Sequence, residues 1–245
     1  MPERETIWVI GASDGIGAAL AQEWSNRGAR LILSARTYDR LEALATGLGP
    51  EHVPLALDVS DRSSIDAAAA KIAKIGALDR IVHLAAIYDP GKIADLDAER
   101  AAQIVTTNLT GSFHIAQVGP KLLKDGGQLA LCGSVAGYIG LPQGQIYSAT
   151  KAGVINLAES LRAELSGQID VRLINPGFVD TRLTQRNDFR MPAMVTPQRA
   201  ARAIIDELCS KRFEVHFPRR LTWALKLLSA LPYWAAMPLT NRLTK

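Results

Sequence analysis

Along this chain, short apolar runs alternate with longer stretches in which apolar residues recur every three or four positions. The short runs are Thr6–Ile10, Arg30–Ser34, Val53–Leu57, Arg80–Leu84, Gln128–Leu131, Asp170–Ile174 and Phe213–Phe217, and they read as strands. Most are near-continuous apolar blocks rather than strict alternations, the pattern of strands buried on both faces. The longer stretches are Ile16–Arg27, Tyr38–Leu48, Ser63–Ile75, Ala98–Lys124, Tyr147–Ser166 and Pro197–Lys211, rich in Ala, Leu, Glu and Arg at helical spacing. Strand followed by helix, repeated, predicts right-handed βαβ crossovers. The expected fold is therefore α/β: a Rossmann-type, doubly wound, seven-stranded parallel sheet with helices on both faces. It forms a single domain over residues 1–217, followed by a basic, apolar tail over residues 218–245.

Composition agrees with a packed globular protein. Of 245 residues, 48% are hydrophobic and 21% charged, which excludes a disordered or collagen-like chain. The two cysteines, Cys132 and Cys209, are far apart and suggest neither a disulfide framework nor a thiolate zinc site. His52, His83, His114 and His216 show no ligand spacing, so no metal is expected. The N-terminal MPERETIWVIG lacks the features of a secretory signal, and a cytoplasmic protein is expected. The net charge of +4 is unevenly spread: residues 211–245 hold seven Lys/Arg against Glu214 alone, leaving the preceding chain slightly acidic. A nucleic-acid-binding body is not indicated.

Chemistry enters where the first strand ends. Gly11-Ala12-Ser13-Asp14-Gly15-Ile16-Gly17 runs directly into a helical pattern. Glycines there let backbone N–H groups and a helix N-terminus approach a pyrophosphate, though a tight strand–helix turn would use the same residues. At the end of the second strand the chain offers Arg36 in place of an acid. A guanidinium suits a 2′-phosphate, which favours NADP(H) over NAD(H), with a solvated surface arginine as the plainer reading. Asp14 is a counter-signal, placing a carboxylate near that phosphate. Asp58, followed by Val59, reads either as a partner of the adenine amino group or as part of a helix cap.

The fifth strand ends in Gly133-Ser134, and thirteen residues after Ser134 comes Tyr147, with Lys151 four further on. On a helix, positions i and i+4 share a face, so the Lys151 ammonium would lie near the Tyr147 phenol and lower its pKa from about 10 toward neutral. Such a phenol gives a proton to a carbonyl or takes one from an alcohol. Ser134 would donate a hydrogen bond to the same substrate oxygen.

These motifs, in this order, make the chain resemble the short-chain dehydrogenase/reductase family over about residues 6–217. The resemblance rests on GASDGIG, Asp58-Val59, Asn108 in NLTG, Ser134/Tyr147/Lys151 and Asn175-Pro176-Gly177. It implies that Asn108 joins the catalytic set by holding a water that links Lys151 to solvent. It also implies that Lys151 binds the nicotinamide ribose, that Ala85 lies beside the cofactor, and that Pro176, Gly177, Val179 and Thr181 border the carboxamide. A homodimer or homotetramer through the long fourth and fifth helices is implied as well. One departure stands out: where the family shows N-N-A-G after the fourth strand, this chain reads His83-Leu84-Ala85-Ala86. His83 either replaces the asparagine's hydrogen bonds or is simply packed.

The expected partner is a small carbonyl or alcohol substrate. Arg182–Met191, in the family's lid position, mixes apolar and basic groups and would accommodate a lipid-like or anionic one. A non-catalytic dinucleotide-binding sensor or scaffold, or an NAD-dependent dehydrogenase, is the competing reading. In the tail, Arg219 and Arg220 precede an apolar stretch with Trp223 and Trp234, interrupted by Lys226, Pro232 and Pro238. A membrane-spanning helix is the least favoured reading. Peripheral contact with the inner membrane surface through residues 218–240 and packing over the cleft or a subunit neighbour both remain open.

Overall fold

The computed structural model describes residues 4–186 and 191–240. Seven strands, β1 (Thr6–Ile10), β2 (Arg30–Ala35), β3 (Val53–Ala56), β4 (Leu78–His83), β5 (Leu123–Cys132), β6 (Asp170–Pro176) and β7 (Glu214–Phe217), form one sheet in the order β3-β2-β1-β4-β5-β6-β7. Every neighbouring pair is parallel. The helices are α1 (Gly15–Asn26), α2 (Tyr38–Leu48), α3 (Arg62–Ile75), α4 (Ala98–Val105), α5 (Gly111–Val118), α6 (Gln145–Glu164), α7 (Pro197–Leu208), α8 (Arg219–Ser229) and α9 (Tyr233–Thr240).

The two-residue period of a strand sends alternate side chains to opposite faces, and both faces are buried. Ile7, Val9 and Leu33 pack against Leu20 and Trp24 of α1, Leu41 of α2 and Ile204 of α7. Trp8, Ile10 and Ile32 pack on the other side against Ile65 and Ile72 of α3, Ile115 of α5 and Val154 of α6. The indole of Trp8 donates to Ser34 Oγ at 2.9 Å, which satisfies two buried polar groups between β1 and β2. Because the chain winds outward in opposite directions from β1 and β4, their C-terminal ends diverge and leave a crevice there.

The expected single helix over Ala98–Lys124 is broken. After α4 the backbone widens into a π-helical turn at Thr106–Thr110, continues as α5, tightens into a 3-10 turn at Gly119–Leu122, and enters β5 at Leu123. Pro120, which has no N–H to donate, is the second residue of that last turn. Pairing of Leu123 with Leu78 then draws the chain into the sheet, with a register shift before Arg80 meets Gln128. The tail forms two short helices, and among the described residues no helix is long and apolar enough to cross a membrane.

Candidate active site

The crevice begins at the glycine loop. Gly11 and Gly15 have φ of +90° and +53°, values that side chains disfavour. A Cβ on Gly11 would lie 2.8 Å from the amide nitrogen of Ala85, and one on Gly17 would lie 2.1 Å from the carbonyl oxygen of Gly11. Gly11 and Ala12 N–H groups donate to the Ser34 carbonyl at 2.7 and 3.0 Å, which pins the loop to β2. Asp14 caps α1, accepting from Gly15 N at 2.7 Å, and its other oxygen accepts from the Arg182 guanidinium.

At the far end of this cleft, about 350 Å³ in volume, stand Arg36, Thr37 and Arg40. Arg40 escaped the sequence reading, although it lies four residues after Arg36 and in the first turn of α2. Leu57 and Val59 line the wall but Asp58 does not. Its carboxylate accepts from Ser60 N at 2.9 Å and Ser60 Oγ at 2.6 Å, closing a turn before α3.

The opposite end holds Ser134, Tyr147 and Lys151 together. Ser134 ends the β5 connection, where its Oγ accepts from Ala136 N at 3.1 Å and so is fixed in place. Tyr147 opens α6, with the Tyr88 ring 4.7 Å away. Lys151 follows one turn later, buried, its Nζ 5.6 Å from the Tyr147 ring centroid and donating to the Cys132 carbonyl at 2.7 Å. Pro176, Gly177, Val179, Thr181 and Ala85 line the same cleft.

The charge picture corrects one expectation. Burial pushes the Tyr147 phenol well above its ordinary value, the Cys132 thiol and Tyr88 add to the rise, and only a hydrogen bond with Ser134 opposes it. Burial likewise pulls Lys151 below its ordinary range, with Cys132 opposing. The Lys151 ammonium, tied to the Cys132 carbonyl, does not bring the phenol toward neutrality in this geometry. The expectation took i,i+4 proximity alone and left out the cost of burying a phenolate.

The family profile described as short chain dehydrogenase matches residues 5–190. An uncharacterized oxidoreductase of Myxococcus xanthus is 33% identical over 234 residues, covering 93% of this chain and 92% of the relative. The chain belongs to the short-chain dehydrogenase family. Its class of chemistry is oxidoreduction. Among solved structures, a short-chain dehydrogenase from Sphingobium yanoikuyae in complex with NADPH superposes with a TM-score of 0.79 at 26% identity, covering 93% of this chain and 96% of that one. One from Burkholderia phymatum in complex with NAD reaches 0.83 at 21% identity, covering 92% of each chain, and shows the same fold.

Within this short-chain dehydrogenase, Asn108 does not line the cleft. It is fully buried in the π-helical turn, where Oδ1 accepts from Ile87 N at 2.8 Å and Nδ2 donates to Ile87 O at 2.9 Å and Thr150 Oγ1 at 3.3 Å. The amide thereby fastens the segment after β4 to α6. His83 takes the packed reading: it is 1% exposed, and neither ring nitrogen has a hydrogen-bond partner. Burial, reinforced by the Lys151 charge, lowers its pKa to about 3, so the ring is neutral.

A second cluster, not expected from the sequence, joins the loops that carry Ser134 and Pro176 to the tail of this short-chain dehydrogenase. Glu214 of β7 accepts from Tyr138 Oη, from Asn175 Nδ2 at 2.7 Å and from Lys226 Nζ of α8. Tyr138 follows Ser134 by four residues and Asn175 precedes Pro176, so one carboxylate ties the loops after β5 and β6 to α8. Burial alone would raise Glu214, but the bonds from Lys226, Tyr138 and Asn175 outweigh it and hold it below its ordinary value. Of the expected lid, Arg182–Arg186 and Met191 are described, whereas Asn187–Arg190 lie outside the described residues, as do Arg242 and Lys245 of the tail. Beyond the gap, Val195 N donates to Phe178 O at 3.0 Å and returns the chain to the sheet end.

Proposed function

We propose that this protein is an NADP(H)-dependent oxidoreductase that interconverts a carbonyl and a secondary alcohol, with Tyr147 as acid/base. The observation that carries this reading is that Ser134, Tyr147 and Lys151 share one cleft with a glycine loop that runs into the N-terminus of α1, the arrangement that suits a pyrophosphate. The residues present fit a dinucleotide. Backbone N–H groups of the loop from Gly11 through Ser13, Gly15, Ile16 and Gly17 would hold the phosphates, with Asp14 capping α1 beside them; Val59 would flank the adenine, and Lys151 would hold the nicotinamide ribose. Pro176, Gly177, Val179 and Thr181 would border the carboxamide. When bound, the nicotinamide supplies or takes up the hydride.

The protein's own part is proton handling and orientation. Ser134 Oγ and Tyr147 Oη hold the substrate oxygen; in reduction Tyr147 gives its proton as negative charge develops there, and in oxidation the phenolate takes it back. A phenol kept protonated by burial suits the reducing direction. Asn108 serves by position, anchoring the segment at Ile87 to the helix that carries Tyr147. Preference for NADP(H) is supported by Arg36 and Arg40, which both line the cleft after β2. Relatives are known with either cofactor, so the two arginines carry that part. Assembly as a homodimer or homotetramer would run through the two long helical segments of the sequence, the first now divided into α4 and α5, where Phe113 is exposed, and the second being α6.

Consumption of NADPH and of NADH should be followed across steroid, sugar, acyl-chain and quinone carbonyls. We expect turnover with at least one class and a clear preference for NADPH. Binding of NADPH with no turnover of any carbonyl would instead assign a sensor or scaffold.

A further inference from the structure

The exposed apolar surface of this protein is concentrated on the tail. α8 and α9 present Trp223, Leu227, Tyr233, Trp234, Met237 and Leu239 to solvent, with Tyr233 and Trp234 80% and 81% exposed. This is a fixed face, not a frayed end. Thr222 and Leu225 on the inner side of α8 are buried, the Lys226 ammonium is bonded to Glu214, and it lies 5.4 Å from the ring centroids of both Tyr138 and Trp223. The start of α8 also abuts the cleft, since a Cβ on Gly177 would meet Pro218 Cδ at 3.0 Å and Leu221 Cδ2 at 3.1 Å.

We propose that the outer face of α8 and α9 rests on an anionic lipid bilayer, making this cytoplasmic enzyme peripheral at the inner membrane surface. Charge favours lipid over a second copy. No acidic residue occurs from 218 to 245, and residues 211–245 carry a net +6 while the rest of the chain is slightly acidic. Arg219 is bonded to Glu207 and Lys226 to Glu214, but Arg220 stands exposed beside the aromatic face. Two such faces brought together would oppose like charges, whereas an anionic leaflet would be complementary to either. Tryptophan and tyrosine combine an apolar body with a polar tip, the combination that settles at headgroup depth. Helices of 11 and 8 residues, parted by Pro232, lie along such a surface rather than through it. Docking would set the cleft beside the lipid phase and make membrane-dissolved carbonyl compounds its nearest substrates.

The four tryptophans make this testable with the full chain. Trp8 and Trp24 are buried, so a change in tryptophan emission on adding vesicles reports Trp223 and Trp234. With phosphatidylcholine vesicles containing phosphatidylglycerol, we expect a blue shift and cosedimentation that weaken as salt is raised. Pure phosphatidylcholine should bind far less. Replacing both Tyr233→Ser and Trp234→Ser, or Arg220→Glu alone, should weaken binding by about tenfold or more without lowering the melting temperature. No shift and no cosedimentation of the native chain would overturn the proposal, as would unaltered binding by both variants. If the double variant instead changes the sedimentation coefficient of the lipid-free protein and leaves vesicle binding intact, the face belongs to a second copy and the membrane reading falls.

Discussion

The two ends of the cleft are secured by different materials. At the glycine loop the backbone itself is the structure: Gly17 sits so close to Gly11 that even one methyl group would displace a peptide. At the substrate end, side chains from distant parts of the chain do the fastening, with Glu214 gathering Tyr138, Asn175 and Lys226 and with Asn108 gripping Ile87. A backbone-built site is rigid because its alternatives are sterically forbidden. A side-chain-built site is held by pairs, each replaceable, and it changes by altering which pairs meet.

The largest test removes chemistry without touching either fastening. Tyr147→Phe should lower turnover about a thousandfold, the scale of a lost general acid, while NADPH binding persists. Near-native turnover would take the acid role from Tyr147. Next in size is Gly17→Ala, which places a methyl carbon 2.1 Å from a backbone oxygen that has no room to retreat. It should cost about 3 kcal/mol in unfolding free energy and abolish nucleotide binding. Gly140→Ala, where an added Cβ meets nothing within 4 Å, should stay within about 0.5 kcal/mol. Equal melting of the two variants would show that the loop yields more readily than its geometry implies.

The same contrast explains what was legible in the sequence. The strands, the doubly wound sheet and the glycine loop follow from local period and composition, and Ser134, Tyr147 and Lys151 meet because one strand end and one helix turn bring them together. The Glu214 cluster was not legible. Its members lie up to 88 residues apart, and no local pattern marks a glutamate on β7 as the partner of a tyrosine after β5. The break in the expected Ala98–Lys124 helix was half visible in Gly119-Pro120, whereas the π turn at Asn108 depends on a tertiary bond to Ile87. The direction of the Tyr147 shift was misjudged because spacing gives proximity but not burial.

His83 sharpens the comparison through pH. Its folded pKa of about 3 lies below the ordinary 6.5, so the unfolded chain takes up the proton first. Stability should therefore begin to fall as pH drops below 6.5 and go on falling toward 3. Between pH 7 and 5 this one group should remove roughly 2 kcal/mol. His83→Phe should flatten that part of the profile in chemical denaturation at each pH. Parallel profiles for the two proteins would mean that the buried ring finds a partner that keeps its proton affinity near normal.

The smallest effect comes from the end where backbone gives way to two exposed side chains. Arg40 occupies the first turn of α2, where a positive charge opposes the helix dipole, so helix stability offers no reason for it. The proposed role of holding a 2′-phosphate with Arg36 would supply one. Arg40→Ala should reduce the preference for NADPH over NADH about tenfold, the worth of one exposed guanidinium–phosphate contact, and leave kcat/KM with NADH unchanged. The same substitution should stabilise the nucleotide-free protein slightly, by about 0.3–1 kcal/mol, because it relieves the dipole. Lower cofactor preference with a higher melting temperature is a pair of opposite signs that damage to the loop would not produce. A variant that loses NADPH and NADH alike would make Arg40 part of the wall and leave phosphate recognition to Arg36 alone.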